Sequence, residues 1–466
     1  MNFTILDLIF FVVFGIFLSI FLYSKRKKLD REGFLFLYRT QWGIKLINYV
    51  GTKYKKTLNV LSYVSIVVGY ILMATILYLV GKIVYIYIMY PQVVRAIKIP
   101  PIMPLVPYLP QMFKLDFLPP FYFTYWIIII AIIAITHEFS HGIFAKHFGL
   151  KIKSTGFGFL GPFLAAFVEP DEKKMAKKDK FSQITVLSAG TFANILTAII
   201  FLIILGGFFY FSFAPAGVVF DTYAYSIVPI SGITAINGIS VENQNYDLFI
   251  KEIENKTGYN ITANEKNYLG VEGFFSNSED YVKLYDDAPA IRSNIIGAIT
   301  KVNNAEVKSM GDLSTEIKKY SENDKIKITT VTDEETKEYD IILEENQETG
   351  EAWIGIGFAK EERSGLMNWL YNKISFFKEK NVYYQPTWQG GVFFYNLLWW
   401  IILISVSVAL INMLPVGIFD GGRVFYLTLL YFTKKENIVK KIFSGMTYFF
   451  LLILAGLMIF WLISFI

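Results

Sequence analysis

Six long apolar runs, at residues 3–23, 60–90, 121–145, 183–213, 390–413 and 443–465, set the pattern of this chain. A bilayer core is about 30 Å thick and a helix rises about 1.5 Å per residue, so a span needs about 20 apolar residues. Each run meets that length, which predicts a polytopic α-helical membrane protein with about six transmembrane helices. The first run does not have the form of a cleaved leader. It is too long, no basic segment precedes it, and Lys25, Arg26, Lys27 and Lys28 follow it as a stop-transfer flank. Basic residues also crowd the stretch 25–56, the stretch 146–180 (Lys173, Lys174, Lys177, Lys178 and Lys180) and the approach to the last run (Lys434, Lys435, Lys440 and Lys441). Six crossings put all three clusters on one side. The expected arrangement is a multi-pass cell-membrane protein with cytoplasmic basic loops and both termini outside.

Between residues 214 and 385 hydrophobicity falls and Asn, Asp, Glu, Lys and Gly rise, as in a water-facing region. Ile233 to Val241 (ITAINGISV) is echoed by Ile299 to Val307 (ITKVNNAEV). Each copy reads as a strand, an Asn-bearing turn and a short strand. A polar helix follows (Tyr246 to Glu254; Met310 to Tyr320), and a Gly-bearing strand closes the unit (Tyr268 to Glu272; Trp353 to Gly357). This order resembles the second half of PDZ domains, which take up an extended chain as an added strand. Two tandem extracytoplasmic α/β units are expected; an unrelated mixed α/β region is the competing reading.

Composition narrows the function. The chain has 466 residues, of which 54% are hydrophobic and 18% charged, and a mean hydropathy of +0.43. The absence of cysteine excludes a thiolate metal site and a cysteine nucleophile. The net charge of +5 sits beside hydrophobic segments and reads as orientation charge at a lipid bilayer, not as a nucleic-acid surface.

Two of only three histidines lie in His137-Glu138-Phe139-Ser140-His141, after an apolar run. Residues i and i+4 share a helix face, so both imidazoles can reach one metal ion. Zinc accepts imidazole nitrogen and in catalytic sites keeps one position open for water. Glu138, beside them, is placed to act as general base on that water. Two residues compete to be the third protein ligand. His147 lies six residues after His141, but Phe144 stands where a helix-breaking Gly would be needed to turn His147 back to the metal. Asp420 follows the fifth apolar run, in Asn412-Met-Leu-Pro415-Val-Gly417-Ile-Phe-Asp420-Gly-Gly. Pro415 and Gly417 interrupt the helix there, and a carboxylate completes a two-histidine site; ligand geometry favours Asp420.

The HExxH on one membrane helix and NxxPxxxxDGG at the end of a later one resemble the site-2 protease family of intramembrane zinc metalloproteases, in its branch with a PDZ-like insertion. Gly190-Thr-Phe-Ala-Asn194 matches the family's GxxxN pattern, although Thr191 stands where many members carry Pro. The resemblance covers residues 121–213 and 390–425. It implies His137, His141 and Asp420 as zinc ligands, Glu138 as catalytic base, and Asn194 and Asn412 as amides near the scissile carbonyl. An Asn in a membrane helix also serves as a tie between helices, worth roughly 1 kcal/mol.

Residues 152–170 are apolar but broken by Gly156, Gly158, Gly161 and Pro162, so they form no spanning helix. A re-entrant hairpin is expected, and the resemblance implies that it offers an edge strand to an unwound substrate. The expected organisation is an N-terminal membrane region over 1–120 and the first half of a catalytic core over 121–213. PDZ-like units follow at 214–273 and 274–385, and the second half of the core at 386–466. The implied activity is hydrolysis of a peptide bond in the transmembrane helix of a membrane-protein substrate, with the metal toward the cytoplasm. A metal transporter or sensor and a non-catalytic PDZ scaffold are the alternatives. The fourth and sixth runs lack charged residues, unlike a transport path, and an intact Glu138 is superfluous in a scaffold.

Overall fold

The computed structural model describes residues 3–33, 35–97, 100–115, 117–160, 163–240, 259–274, 281–332, 335–346, 349–358 and 373–463. The chain divides into two compact units, residues 1–205 with 393–466, and residues 206–392.

The first unit is helical apart from one four-stranded sheet. In chain order its helices are α1 (Phe3–Lys25), α2 (Ile44–Lys53), α3 (Lys55–Met89), α4 (Pro91–Ile97), α5 (Leu109–Met112), α6 (Phe123–His147), α7 (Glu172–Met175) and α8 (Lys180–Ser212). The helices α11 (Gly391–Asn412), α12 (Asp420–Thr433) and α13 (Glu436–Ile463) follow the second unit's helices, α9 (Pro289–Arg292) and α10 (Met310–Ile317). Six of these elements, α1, α3, α6, α8, α11 and α13, are long and apolar enough to cross a membrane. They coincide with the six apolar runs, and the protein is membrane-embedded.

Helix α6 is the axis of this unit. One end packs Phe123, Trp126, Ile129 and Ile133 against Leu397, Trp400, Ile401 and Ile404 of α11. The other packs Phe144 and Ala145 with Ile47 of α2 and Val186 and Ala189 of α8. A buried carboxylate fixes its start. Asp7, in α1, accepts the backbone N–H groups of Phe123 (2.7 Å) and Thr124 (2.9 Å) and the hydroxyl of Tyr108. The first N–H groups of a helix have no partner inside it, and a carboxylate there also meets the positive end of the helix dipole.

The basic stretch 25–56, expected as a loop, folds instead. Strands β1 (Leu29–Glu32) and β2 (Leu35–Thr40) join β3 (Ile152–Leu160) and β4 (Phe163–Pro170) in an antiparallel sheet of order β1-β2-β3-β4. The region 152–170 is thus a β-hairpin, and β4 is an edge strand. A Cβ at Gly156 would collide with the Tyr38 carbonyl and stand 2.6 Å from the Phe167 ring, so only glycine lets the strands close here.

The second unit holds two six-stranded sheets and two short strand pairs, β6 (Thr222–Tyr223) with β19 (Ile356–Gly357) and β17 (Glu344–Glu345) with β18 (Ala352–Trp353). One, of order β7-β12-β11-β10-β8-β9, uses β7 (Tyr225–Pro229), β8 (Ile233–Ile236), β9 (Ile239–Ser240), β10 (Ile261–Ala263), β11 (Lys266–Phe274) and β12 (Tyr281–Asp286). The other, of order β16-β15-β13-β5-β20 with β14 paired to β13, uses β5 (Phe213–Val218), β13 (Ala298–Val302), β14 (Ala305–Glu306), β15 (Lys325–Val331), β16 (Thr336–Ile342) and β20 (Val382–Pro386). The repeated strand-turn-strand segments are β8–β9 and β13–β14. The expected boundary at residue 273 does not separate the sheets. β12 lies beyond it but belongs to the first sheet, and β5 lies at the start of the first expected unit but pairs in the second, Val218 opposite Ile299. Repeats order the strands locally, whereas sheet membership is decided by pairing between segments remote in sequence. The helix expected at Tyr246 to Glu254 lies outside the described residues.

Candidate metal centre

His137 and His141 project from α6 one turn apart, and their Nε2 atoms are 3.1 Å from each other. Asp420 is the first residue of α12, and its Oδ2 lies 3.4 Å from both of those nitrogens. The chain reaches that point by ending α11 at Asn412 and folding 413–419 back before α12 begins. Gly421 and Gly422 make the fold possible, since a Cβ on either would overlap the backbone of Met413 or Val416.

The three atoms form a nearly equilateral triangle. Ligand atoms about 2.0–2.1 Å from a tetrahedral zinc stand about 3.3 Å apart, so the donor set has the dimensions that zinc requires. Gly190 of α8 keeps the neighbouring space empty. A Cβ there would stand 2.6 Å from His137 Nε2 and closer still to His141 Nε2, so only glycine lets α8 approach the two imidazoles. Ring orientation is set from behind. His141 Nδ1 donates to the Val186 carbonyl (2.6 Å), which leaves Nε2 with its lone pair toward the triangle. Asn194, fully buried on α8, meets Nδ1 of His137 at 3.1 Å. Ser140 donates to the Ala189 carbonyl (2.9 Å) and adds a further tie between α6 and α8.

Glu138 lies on the same turn, with a carboxylate oxygen within 4.8 Å of the histidine ligand atoms. Its Oε2 accepts the backbone N–H of Val168 at 3.2 Å, on the side of β4 away from β3. Beside it is a cavity of about 230 Å³ whose walls include His137 and Glu138 of α6, Leu164 and Ala166 of β4, and Ile404 and Asn412 of α11. The space is mostly apolar and bounded on one side by an unpaired strand edge.

The structure brings six of the seven residues singled out in the sequence to one place: His137, Glu138, His141, Asn194, Asn412 and Asp420. Asn194, expected near a scissile carbonyl, is not among the walls of this cavity. His147 is not part of the site; its Nε2 meets Asn59 Oδ1 of α3 at 2.8 Å, as helix geometry anticipated. Two contributors escaped the sequence reading, and a third, Gly190 of the GxxxN pattern, was named without its role. The Val186 carbonyl and the Val168 N–H are backbone groups with no sequence signature. Gly190 carried a signal, a glycine in an apolar helix one turn before Asn194, but not its meaning.

The sequence model of peptidase family M50 matches residues 125–454, well over half of the chain and including all the residues of this centre. A stretch of 76 residues is 51% identical to an uncharacterized protein of Methanocaldococcus jannaschii. That match covers 15% of this chain and 20% of the relative, so the chain spans about a fifth of its length. The donor triangle, the carboxylate beside it and the match over residues 125–454 agree, and the chain belongs to peptidase family M50, the site-2 protease family of zinc metalloproteases.

Proposed function

We propose that the protein is an intramembrane zinc metalloendopeptidase that hydrolyses a peptide bond in a transmembrane segment of a membrane-protein substrate. The observation that carries this reading is the convergence of the donor atoms of His137, His141 and Asp420, 3.1–3.4 Å from one another. These three residues would hold the ion. Zinc bound there supplies Lewis acidity, which activates water and polarises a carbonyl at neutral pH.

The chain's own residues supply the remainder. Glu138 takes the proton of the attacking water as its oxygen bonds to the scissile carbonyl carbon, then delivers it to the amine nitrogen as the C–N bond breaks. Asn412, a wall of the same cavity, offers an amide N–H to the developing oxyanion, a contact that gains strength in a dry site. The open edge of β4 receives the substrate as an extended strand. A helix has its backbone hydrogen bonds satisfied internally and cannot present a carbonyl to the metal; unwinding onto β4 replaces those bonds.

In this reading the zinc site faces the cytoplasm, while the termini and residues 214–385 lie outside. The second unit acts as PDZ-like modules that exclude or dock substrate ectodomains, so that only a substrate already trimmed outside is cleaved.

The test is cleavage of a single-span substrate by detergent-purified protein, wild type beside Glu138→Ala, with bound zinc measured in both. Cleavage by wild type alone, with zinc retained in both, supports the reading. Zinc retention without cleavage by wild type across a panel of single-span substrates would turn it toward a binding role.

A further inference from the structure

We infer that Asn194 is a positioning residue for His137: its amide oxygen accepts the imidazole Nδ1–H and so aims Nε2 at the metal. This rests on the proposed reading of His137 as a zinc ligand.

The first argument is one of direction. A histidine that binds through Nε2 carries its proton on Nδ1 and needs an acceptor there. At His141 the acceptor is the Val186 carbonyl. At His137 the group that meets Nδ1 is the Asn194 amide, placed with its nitrogen 3.1 Å away. With the NH2 end turned to Nδ1, the ring proton would sit on Nε2 and block coordination, and the amide oxygen would be buried without a partner. The two ends of an amide are isosteric. Turning the oxygen onto Nδ1–H satisfies both groups and frees the Nε2 lone pair.

The second argument is place. Asn194 is fully buried and Asn412, not Asn194, lines the cavity beside Glu138. An amide committed to the back of an imidazole is not available to a scissile carbonyl in front of it.

The third is periodicity. Val186, Gly190 and Asn194 stand at i, i+4 and i+8 on α8, a single helix face. Along it come the acceptor for His141, the gap beside both Nε2 atoms, and the acceptor for His137. One face of α8 thus serves as a template for the pair on α6, and GxxxN is the part of that template visible in side chains.

Competition with a zinc chelator on detergent-purified full-length protein tests this, comparing wild type, Asn194→Ala and Asn194→Asp. Loss of a second-layer partner of a metal-bound His lowers metal affinity about 10- to 100-fold. That is the result expected for Asn194→Ala, with cleavage recovering as zinc is raised. Asn194→Asp keeps an acceptor and loses the donor, so its zinc affinity and cleavage should stay within about threefold of wild type. The inference is overturned if Asn194→Ala binds zinc as wild type does while cleavage falls. It is equally overturned if Asn194→Asp holds zinc but no longer cleaves, since both outcomes mark an N–H donor at the substrate. The aspartate variant decides the matter even if the alanine variant does not fold. Wild-type protein that takes up no zinc would remove the metal reading itself, a failure visible before any variant is compared.

Discussion

The carboxylate of Glu138 accepts the N–H of Val168 at 3.2 Å, which ties the proposed base to the open edge of the strand proposed to receive substrate. The bond fixes Glu138 in orientation and marks where strand addition along β4 must stop. Glu138→Gln preserves an acceptor for Val168 and removes the base. Cleavage should fall at least about 100-fold, the usual scale for a positioned acid or base, while bound zinc is unchanged. Rates and metal content measured on the same preparation check this; a glutamine variant that cleaves at wild-type rate would exclude Glu138 as the base.

Gly190→Ala fills the space beside both Nε2 atoms. Alanine is about 1 kcal/mol better than glycine in a helix, so α8 itself is not weakened. The expected outcome is a folded protein of unchanged helical content that no longer retains zinc. Stoichiometric zinc in this variant would mean that the ion sits elsewhere.

Asp420 and His147 give opposite expectations. Asp420→Ala removes one corner of the donor triangle and should abolish tight zinc binding. His147→Ala removes a hydrogen bond to Asn59, worth about 1 kcal/mol, and should leave zinc uptake as it is. Equal loss in both variants would reopen the choice of third ligand.

Because Val168 directs its N–H away from β3, Ala166, two residues earlier, does the same on the open edge. Ala166→Pro therefore removes a donor that substrate would use, without breaking a bond within the hairpin. Zinc content should hold and cleavage should fall sharply. Undiminished cleavage would count against strand addition at β4.

Asp7→Ala leaves the first N–H groups of α6 without their acceptor. A lost helix cap costs about 1–2 kcal/mol. Thermal unfolding in detergent should register it as a lower midpoint, with zinc still bound by the folded fraction. An unchanged midpoint would show that the Asp7 contacts add nothing to stability.

The apolar runs alone located the six helices long and apolar enough to cross a membrane, because a helix that must satisfy its own backbone in lipid is dictated by local composition. The i, i+4 spacing of His137 and His141 set one side of the donor triangle, since helix geometry is local too. Pro415 and Gly417 marked the break between α11 and α12. Beyond that the sequence was silent or partial. The strands at 29–40 were hidden in a basic stretch, because they gain their structure by pairing with a hairpin more than a hundred residues away. The sharing of strands between the two sheets of residues 206–392 was equally invisible, as β5 and β12 each pair across the apparent repeat boundary. Ligand geometry favoured Asp420 over His147 as third ligand and the family pattern implied it; tertiary structure placed its carboxylate 3.4 Å from both imidazoles. It also faced Asn194 toward the back of His137 and aligned the emptiness of Gly190 with the histidine pair. Those relations depend on which faces of α6, α8 and α12 meet, and that is settled by packing between helices distant in sequence.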